Sequence, residues 1–369
     1  MNRIVLIGNG FDLAHGLNTR YSDFLFWYLE QCGNDLLRAS RRVVTDGLCS
    51  FKMNDGVGVA NWATAFQGYY FQKDKPFTPW KGFDAFQKAV DDKEFCKFSF
   101  TSKLLQRIWK QVSLGWVDIE KEYFSLLKEE KLTMKGEVER PNYKELNEHL
   151  DILRDKLIEY LKSESEKECP FIDKIKDIIY CPIKGREISV SFKRELKKRE
   201  IVDVEPCRTM FLNFNYTKTA EQYVTPSSNV VVNYIHGNLE NPESVIFGYG
   251  DELDSSFKRL QDLNENECLR HIKSIRYQEA DNYRKMLEFI DSSPFQVIIL
   301  GHSCGNSDRT LLNTLFEHKN CVSIKPYYYI KEDGTDSYLE MIQNISRNFT
   351  DMKLMRDRVV NKTYCETIS

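Results

Sequence analysis

Residues 4–7, Ile-Val-Leu-Ile, run without a polar break straight into Gly8-Asn9-Gly10. An apolar run with no period-two alternation is a strand covered on both faces, as in a parallel sheet flanked by two layers of helices. A glycine-rich turn behind such a strand, opening a helix, is the first half of a βα unit. Further apolar strands are expected at 209–214, 230–235 and 295–300, with a weaker one at 321–325 and short ones at 186–191 and 244–247. A long helical pattern over 262–291 precedes the 295–300 strand, and this alternation predicts a parallel sheet.

The first and second strands lie some two hundred residues apart, too far for a structureless loop. Leu146, Leu150, Leu153, Leu157 and Leu161 recur at helical spacing behind Pro141, and residues 100–130 carry a similar mixture. Residues 20–30 also read as helix, whereas 50–95 match no template. The fold expected is α/β: a doubly wound, Rossmann-like, mainly parallel sheet with a large, mainly helical insertion. Its Rossmann-like nucleotide-binding domain comprises 1–30 plus 205–335, the insertion 31–204, and a C-terminal helix and tail 336–369.

Composition narrows the function. With 52 Lys+Arg against 55 Asp+Glu the net charge is −3, which argues against nucleic-acid binding through bulk charge. No apolar run reaches the ~18 residues of a membrane helix. The short apolar stretch after Met1-Asn2-Arg3 is no signal peptide, so a cytoplasmic protein with no membrane partner is expected. The ten cysteines are scattered without a C-x-x-C pair and the six histidines without H-x-x-x-H. Free thiols and no metal are expected.

Four strand ends carry polar clusters. Gly8-Asn9-Gly10-Phe11-Asp12, with Gly16 further on, can bring backbone close to a phosphate, though the third glycine falls outside G-x-G-x-x-G. A tight strand-to-helix turn is the plain alternative. Asn213 and Asn215-Tyr216-Thr217 end the second strand. The Asn215 amide suits a ribose hydroxyl or a positioned water, or else caps the next helix. His236-Gly237 ends the third strand; His236 is either a general base or a hydrogen-bonded structural histidine. Gly301-His302-Ser303-Cys304-Gly305, with Asp308 beyond, ends the fourth. It also fits Gly-x-Ser-x-Gly, but a nucleophile elbow needs an acid and then a histidine downstream, and only His318 follows. In the insertion, Trp116 and Glu120 are one helical turn apart and can face the crevice together; core packing with a surface carboxylate is the commoner outcome.

The opening G-N-G-F-D-x-x-x-G-L with Thr19, Tyr21, Asp23 and Phe24-Leu25 resembles the bacterial AbiH family of phage abortive-infection proteins. So do Phe214-Asn215-Tyr216-Thr217, Ile235-His236-Gly237 and Gly301-His302-Ser303 with Asp308. The same landmarks are more distantly similar to the sirtuin-like NAD-consuming domains of antiviral proteins, whose strand ends read G-A-G-x-S-x-x-x-G-[IL]-P, T-x-N-[IY]-D, H-G and G-x-S. Asp12 stands here for the serine of the first pattern, Asn18 for its proline and Thr217 for the acid of the second. The paired-cysteine zinc module of sirtuin deacylases is missing, which argues against protein deacylation.

The resemblance implies an antiphage defence protein that hydrolyses the nicotinamide–ribose bond of NAD, with Asn215 and His236 catalytic. Gly8, Asn9, Gly10, Phe11, Asp12, Gly16, Tyr216, Gly237, Gly301, His302, Ser303 and Asp308 would bind NAD or a related nucleotide. A phage trigger and restraint by a homo-oligomer or an occluded pocket are implied too. A nucleotide-sensing or protein-binding defence module without catalysis is the alternative, favoured by Asp12 and Thr217. A nuclease-like toxin ranks below both, for want of a metal-binding carboxylate cluster.

Overall fold

A computed structural model describes residues 1–38, 43–56, 96–112, 118–132, 135–198, 200–225, 228–331 and 333–368. The chain forms two compact units, Met1–Asn18 with Leu161–Ser369, and Thr19–Tyr160. The first is built on a five-stranded sheet. Its strands are β1 (Asn2–Ile7), β2 (Thr209–Asn213), β3 (Val230–Tyr234), β4 (Phe295–Leu300) and β5 (Cys321–Pro326). They lie in the order β5-β4-β1-β2-β3, and every pairing is parallel. This is a Rossmann-like α/β arrangement. The direction of strand addition reverses between β1 and β4, and open parallel sheets bind ligands beyond the carboxyl ends at such a switch point.

Side chains one residue apart on each strand serve opposite layers. Ile4, Leu6, Met210, Leu212, Val297 and Ile299 share one core with the helices Asn282–Ser292 and Arg309–Phe316. Val5, Ile7, Phe211, Ile298 and Leu300 share the other with Ile175, Ile178 and Ile179 of the helix Asp173–Tyr180. Residues 161–204, which composition groups with the insertion, thus lie in the sheet-bearing unit and supply part of its second layer.

A buried polar chain fastens that layer. Arg3, 1% exposed, donates to the carbonyls of Ile179 (2.8 Å) and Cys181 (2.6 Å) and to Gln296 Oε1 (3.0 Å). Gln296 donates to Glu187 Oε2 (3.0 Å), and Glu187 Oε1 receives Lys325 Nζ at 2.9 Å. Ser323 and Lys325 are the polar residues that made β5 weak in the sequence; both are buried, and Lys325 is paired with Glu187.

Some expectations need correction. Residues 186–191 and 244–247 form no strand. Gly185–Glu187 and Pro242–Ser244 are 3-10 turns, and a helix Val190–Glu195 follows the first. Residues 262–291 are not one helix. Asn264 takes a left-handed φ of 53°, which ends the helix Ser255–Asp262, and short turns lead through Lys273–Arg276 to Asn282–Ser292. The C-terminal segment holds two helices, Tyr338–Arg347 and Met352–Arg358, and its tail bridges Tyr328 at Thr367.

The second unit contains the helices Tyr21–Arg38, Lys103–Val112 and Ile119–Leu127, and Tyr143–Ser165 up to Tyr160. Leu146, Leu150, Leu153 and Leu157 are buried along the last of these, as their spacing predicts. It also carries a three-stranded antiparallel sheet of Val43–Thr45, Cys49–Met53 and Cys96–Phe100. Within 50–95, residues 57–95 lie outside the described part, as does Trp116. Among the described residues no helix is long and apolar enough to cross a membrane.

Removing one partner of a buried ion pair strands the other charge. Glu187→Ala should therefore lower unfolding stability by about 3 kcal/mol in urea titration. An unchanged denaturation midpoint would mean that Glu366, 3.5 Å from Lys325, carries the pairing instead.

Candidate functional site

The carboxyl ends of β1, β2, β3 and β4 converge. β1 runs into Gly8, and a six-residue helix, Asn9–Ala14, starts at the next residue. β4 runs into Gly301, at φ 72°. These two segments touch backbone to backbone. The Gly10 N–H donates to the Gly301 carbonyl at 2.8 Å, and the Gly8 N–H reaches the Leu300 carbonyl at 3.4 Å. A Cβ on Gly8 would lie 2.6 Å from His302 Cα, and one on Gly10 would lie 2.9 Å from Gly301 Cα. Gly8 is extended, at φ −130°. Close approach at the switch point therefore requires this glycine, and an unusual dihedral does not.

β2 reaches the same place. Asn213 accepts the Asn215 N–H on Oδ1 (3.0 Å) and donates to the Thr217 carbonyl (3.2 Å), shaping a tight turn. That turn presents Asn215, whose Nδ2 donates to the Gly8 carbonyl at 3.0 Å. Asn215 is thus no helix cap; the 3-10 turn Thr219–Tyr223 starts after Lys218. β3 delivers His236, 3% exposed, with its ring edge-on to Phe214 and stacked on Tyr277. His302 lies against the same Phe214 ring, at a centroid distance of 4.1 Å.

Asp308 joins these groups electrostatically. Its Oδ1 is 2.9 Å from Lys273 Nζ and 3.3 Å from His236 Nε2, and its Oδ2 is 3.7 Å from His302 Nε2. His236 Nε2 also lies 3.2 Å from the Tyr277 hydroxyl. Burial, with the Lys273 ammonium, pulls the His236 imidazole down to about 3 against the opposing pull of Asp308. Burial opposes ionisation of Asp308, but Lys273, His236 and His302 outweigh it and hold the carboxyl well below its usual range. The result is a neutral imidazole backed by a fixed carboxylate. A proton taken up by the ring would be stabilised by Asp308, the electrostatic role an acid plays behind a catalytic histidine.

Lys273, 1% exposed, and Tyr277 carry this arrangement and escaped the sequence reading. Both fall in 262–291, whose pattern read as one long helix. The segment instead breaks after Asp262, Lys273 opens a separate short helix, and a lysine in a charged segment gives no sign of burial.

The remaining candidates divide. Asp12 is buried, and its carboxyl is pushed above the usual range by burial against the pull of the Thr217 hydroxyl, which donates to Oδ2 at 2.6 Å. Two of the residues that depart from the NAD-consuming pattern are therefore bonded to each other. Asp12 Oδ1 has no hydrogen-bond partner among the described residues. Phe11 packs in the core, and its N–H donates to the Gly8 carbonyl. Asn9 is exposed. Gly16 sits past the far end of the helix at φ 81°, with open space around it. Tyr216 donates its hydroxyl to the Ile246 carbonyl, and Gly237, at φ 80°, packs on Ser244.

Ser303 is exposed at the carboxyl end of the sheet. His318 precedes β5 at the amino end, stacked on Phe295 and 3.3 Å from Asp291. The opposite ends of the sheet hold the two residues, which removes the serine triad. In the second unit, Glu120 is buried in the first turn of its helix, where a surface carboxylate was the expectation.

A protein-family model described as Bacteriophage abortive infection AbiH matches residues 4–329. No curated protein and no solved structure matches the chain.

Two results follow from this geometry. Gly8→Ala forces the two backbones apart and should cost about 1–3 kcal/mol in unfolding stability. Gly16→Ala meets no atom and should cost only about 1 kcal/mol of left-handed strain, so equal losses would refute the close-approach argument. On unfolding, His236 regains an ordinary value near ~6.5, so the unfolded chain binds a proton that the native ring refuses. Stability should fall as pH drops below about 6.5, by up to ~1.4 kcal/mol per pH unit from this ring. His236→Asn should flatten the urea-unfolding profile between about pH 6.5 and 4.5, above the carboxylate range.

Proposed function

The chain belongs to the bacteriophage abortive infection AbiH family, and from that membership we propose that its antiphage activity is hydrolysis of the nicotinamide–ribose bond of NAD at the switch-point crevice. Abortive infection is the role the family carries. The choice of reaction rests on one observation. Asn215, bonded to the Gly8 carbonyl, and His236, backed by Asp308, follow two neighbouring strands at the carboxyl edge of an open parallel sheet, and Gly8 and Asp308 come from segments far away in the chain. The resemblance of these strand ends to sirtuin-like NAD-consuming domains supports the same substrate.

The chemistry asks little of the protein. The nicotinamide ring of NAD is already cationic, so the C1′–N bond breaks with its electron pair going to the ring nitrogen, and no acid is needed. The transition state resembles an oxocarbenium ion. Asn215 would orient the ribose and a water; the water oxygen bonds C1′, and its proton passes to His236 directly or through a ribose hydroxyl. Asp308 would stabilise the imidazolium. The products are nicotinamide, ADP-ribose and a proton.

The resting arrangement restrains this reaction. Lys273 lowers the basicity of His236, and the Gly10 N–H is occupied by Gly301. A pyrophosphate held by the Gly10 N–H would have to exchange that bond for one to the ligand. Its negative charge would also counter Lys273 and raise the basicity of His236. The burial of His236 and its stacking under Tyr277 favour a second reading, a nucleotide sensor without turnover.

Purified protein incubated with NAD, alone and in extract of phage-infected cells, separates the two. Hydrolysis predicts free nicotinamide, lost by ~100-fold or more in Asn215→Ala and His236→Ala while calorimetry still detects NAD binding. Binding without nicotinamide under either condition would leave the sensor. Absence of both would overturn the nucleotide reading altogether.

A further inference from the structure

The second unit holds a compact group of potential metal ligands that lie in no sequence motif. Cys32 is on the helix Tyr21–Arg38, and Asp46 and Cys49 flank the turn joining Val43–Thr45 to Cys49–Met53. The Cys32 and Cys49 sulfurs and an Asp46 carboxylate oxygen all lie within 4.8 Å of one another, and both cysteines are buried. Two sulfurs on one tetrahedral zinc ion sit about 3.8 Å apart, at ~2.3 Å from the metal, so shifts of about an ångström would close the group onto one ion.

The surroundings hold the carboxylate in place. Asp46 Oδ1 accepts the N–H groups of Leu48 (2.9 Å) and Cys49 (3.2 Å). The Tyr28 hydroxyl donates to Oδ2 at 2.6 Å and lies 3.3 Å from Cys49 Sγ. Partners of this kind fix the orientation of a metal-binding carboxylate. Beside the three ligands lies a cavity of ≈ 60 Å³, also lined by Tyr28 and Lys156. A water needs only about 10–15 Å³ on this measure, so there is room for a fourth ligand. Two thiolates and a carboxylate around a divalent ion carry one net negative charge. Lys156, itself paired with Glu159 at 3.0 Å, partly offsets it.

We propose that Cys32, Asp46 and Cys49 form a site for one thiophilic divalent cation of the zinc class, with water as fourth ligand, pinning the helix Tyr21–Arg38 to the neighbouring hairpin. Thiolate pairs select such ions over magnesium or calcium. The expectation of no metal came from spacing alone, and here the ligands come together only through the fold. This site is independent of the NAD reading.

The test uses full-length protein, reduced, stripped with a chelator and titrated with Co²⁺ without oxygen. One ion per chain should bind with a thiolate-to-cobalt charge-transfer band, and Zn²⁺ should displace it. Zn²⁺ should protect Cys32 and Cys49 of the wild type from alkylation, read by peptide mass spectrometry, and leave the exposed Cys207 reactive. Cys32→Ser and Cys49→Ser should each weaken binding beyond the ~10–100-fold that loss of an outer partner costs, and Asp46→Asn should weaken it in the same direction. Absence of the band, persistence of the band in both serine variants, or a Cys32–Cys49 disulfide surviving reduction would overturn the proposal. The wild-type band and protection pattern decide the question even where a variant fails to fold.

Discussion

Two backbones in contact at the switch point of a parallel sheet set the geometry of the candidate site. The ends of β1 and β4 approach until the Gly10 N–H meets the Gly301 carbonyl and no Cβ fits on Gly8. Because the two strands meet there, His302 lies over Gly8, and the Gly8 carbonyl faces β2, where Asn215 captures it. Phe214, next along the same turn, then receives both His302 and His236 against its ring. One close contact thereby aligns residues contributed by four strands.

Charge gives this alignment its chemical character. A buried carboxylate is tolerable only with charge and polar partners around it, and Asp308 has an ammonium at 2.9 Å, with imidazole nitrogens of His236 and His302 within 3.7 Å. Burial, and after it the same ammonium, makes His236 a weak base. Asp12 and Thr217 follow similar logic on a smaller scale: a buried acid and a hydroxyl occupy adjoining positions and satisfy each other at 2.6 Å.

The sheet-bearing unit depends on a second polar chain near the amino end of β1 and β4, remote from the crevice. Arg3, Gln296, Glu187 and Lys325 link four elements through side chains, and Arg3 also ties down the carbonyls at the end of the helix Asp173–Tyr180. That helix covers the face of the sheet opposite Asn282–Ser292. A doubly wound sheet needs both layers, because strands such as β1 are apolar on each side.

Local patterns carry the information that stays within a few residues. The unbroken apolar run at Ile4–Ile7, the leucines at 146, 150, 153 and 157, and the polar clusters behind each strand announced the parallel sheet, a long helix and the sheet edge at which the candidate residues gather. Those signals are periodicity and strand-end chemistry, and both survive in the linear order. Only the tertiary structure decided that Lys273 turns inward to Asp308, that Ser303 and His318 lie at opposite ends of the sheet, and that Cys32 meets Asp46 and Cys49. It also decided that Glu187 makes a buried lysine acceptable in β5. Each of these pairs residues whose separation along the chain follows no fixed interval, so burial and charge compensation set their partners, and neither quantity exists until the chain has folded.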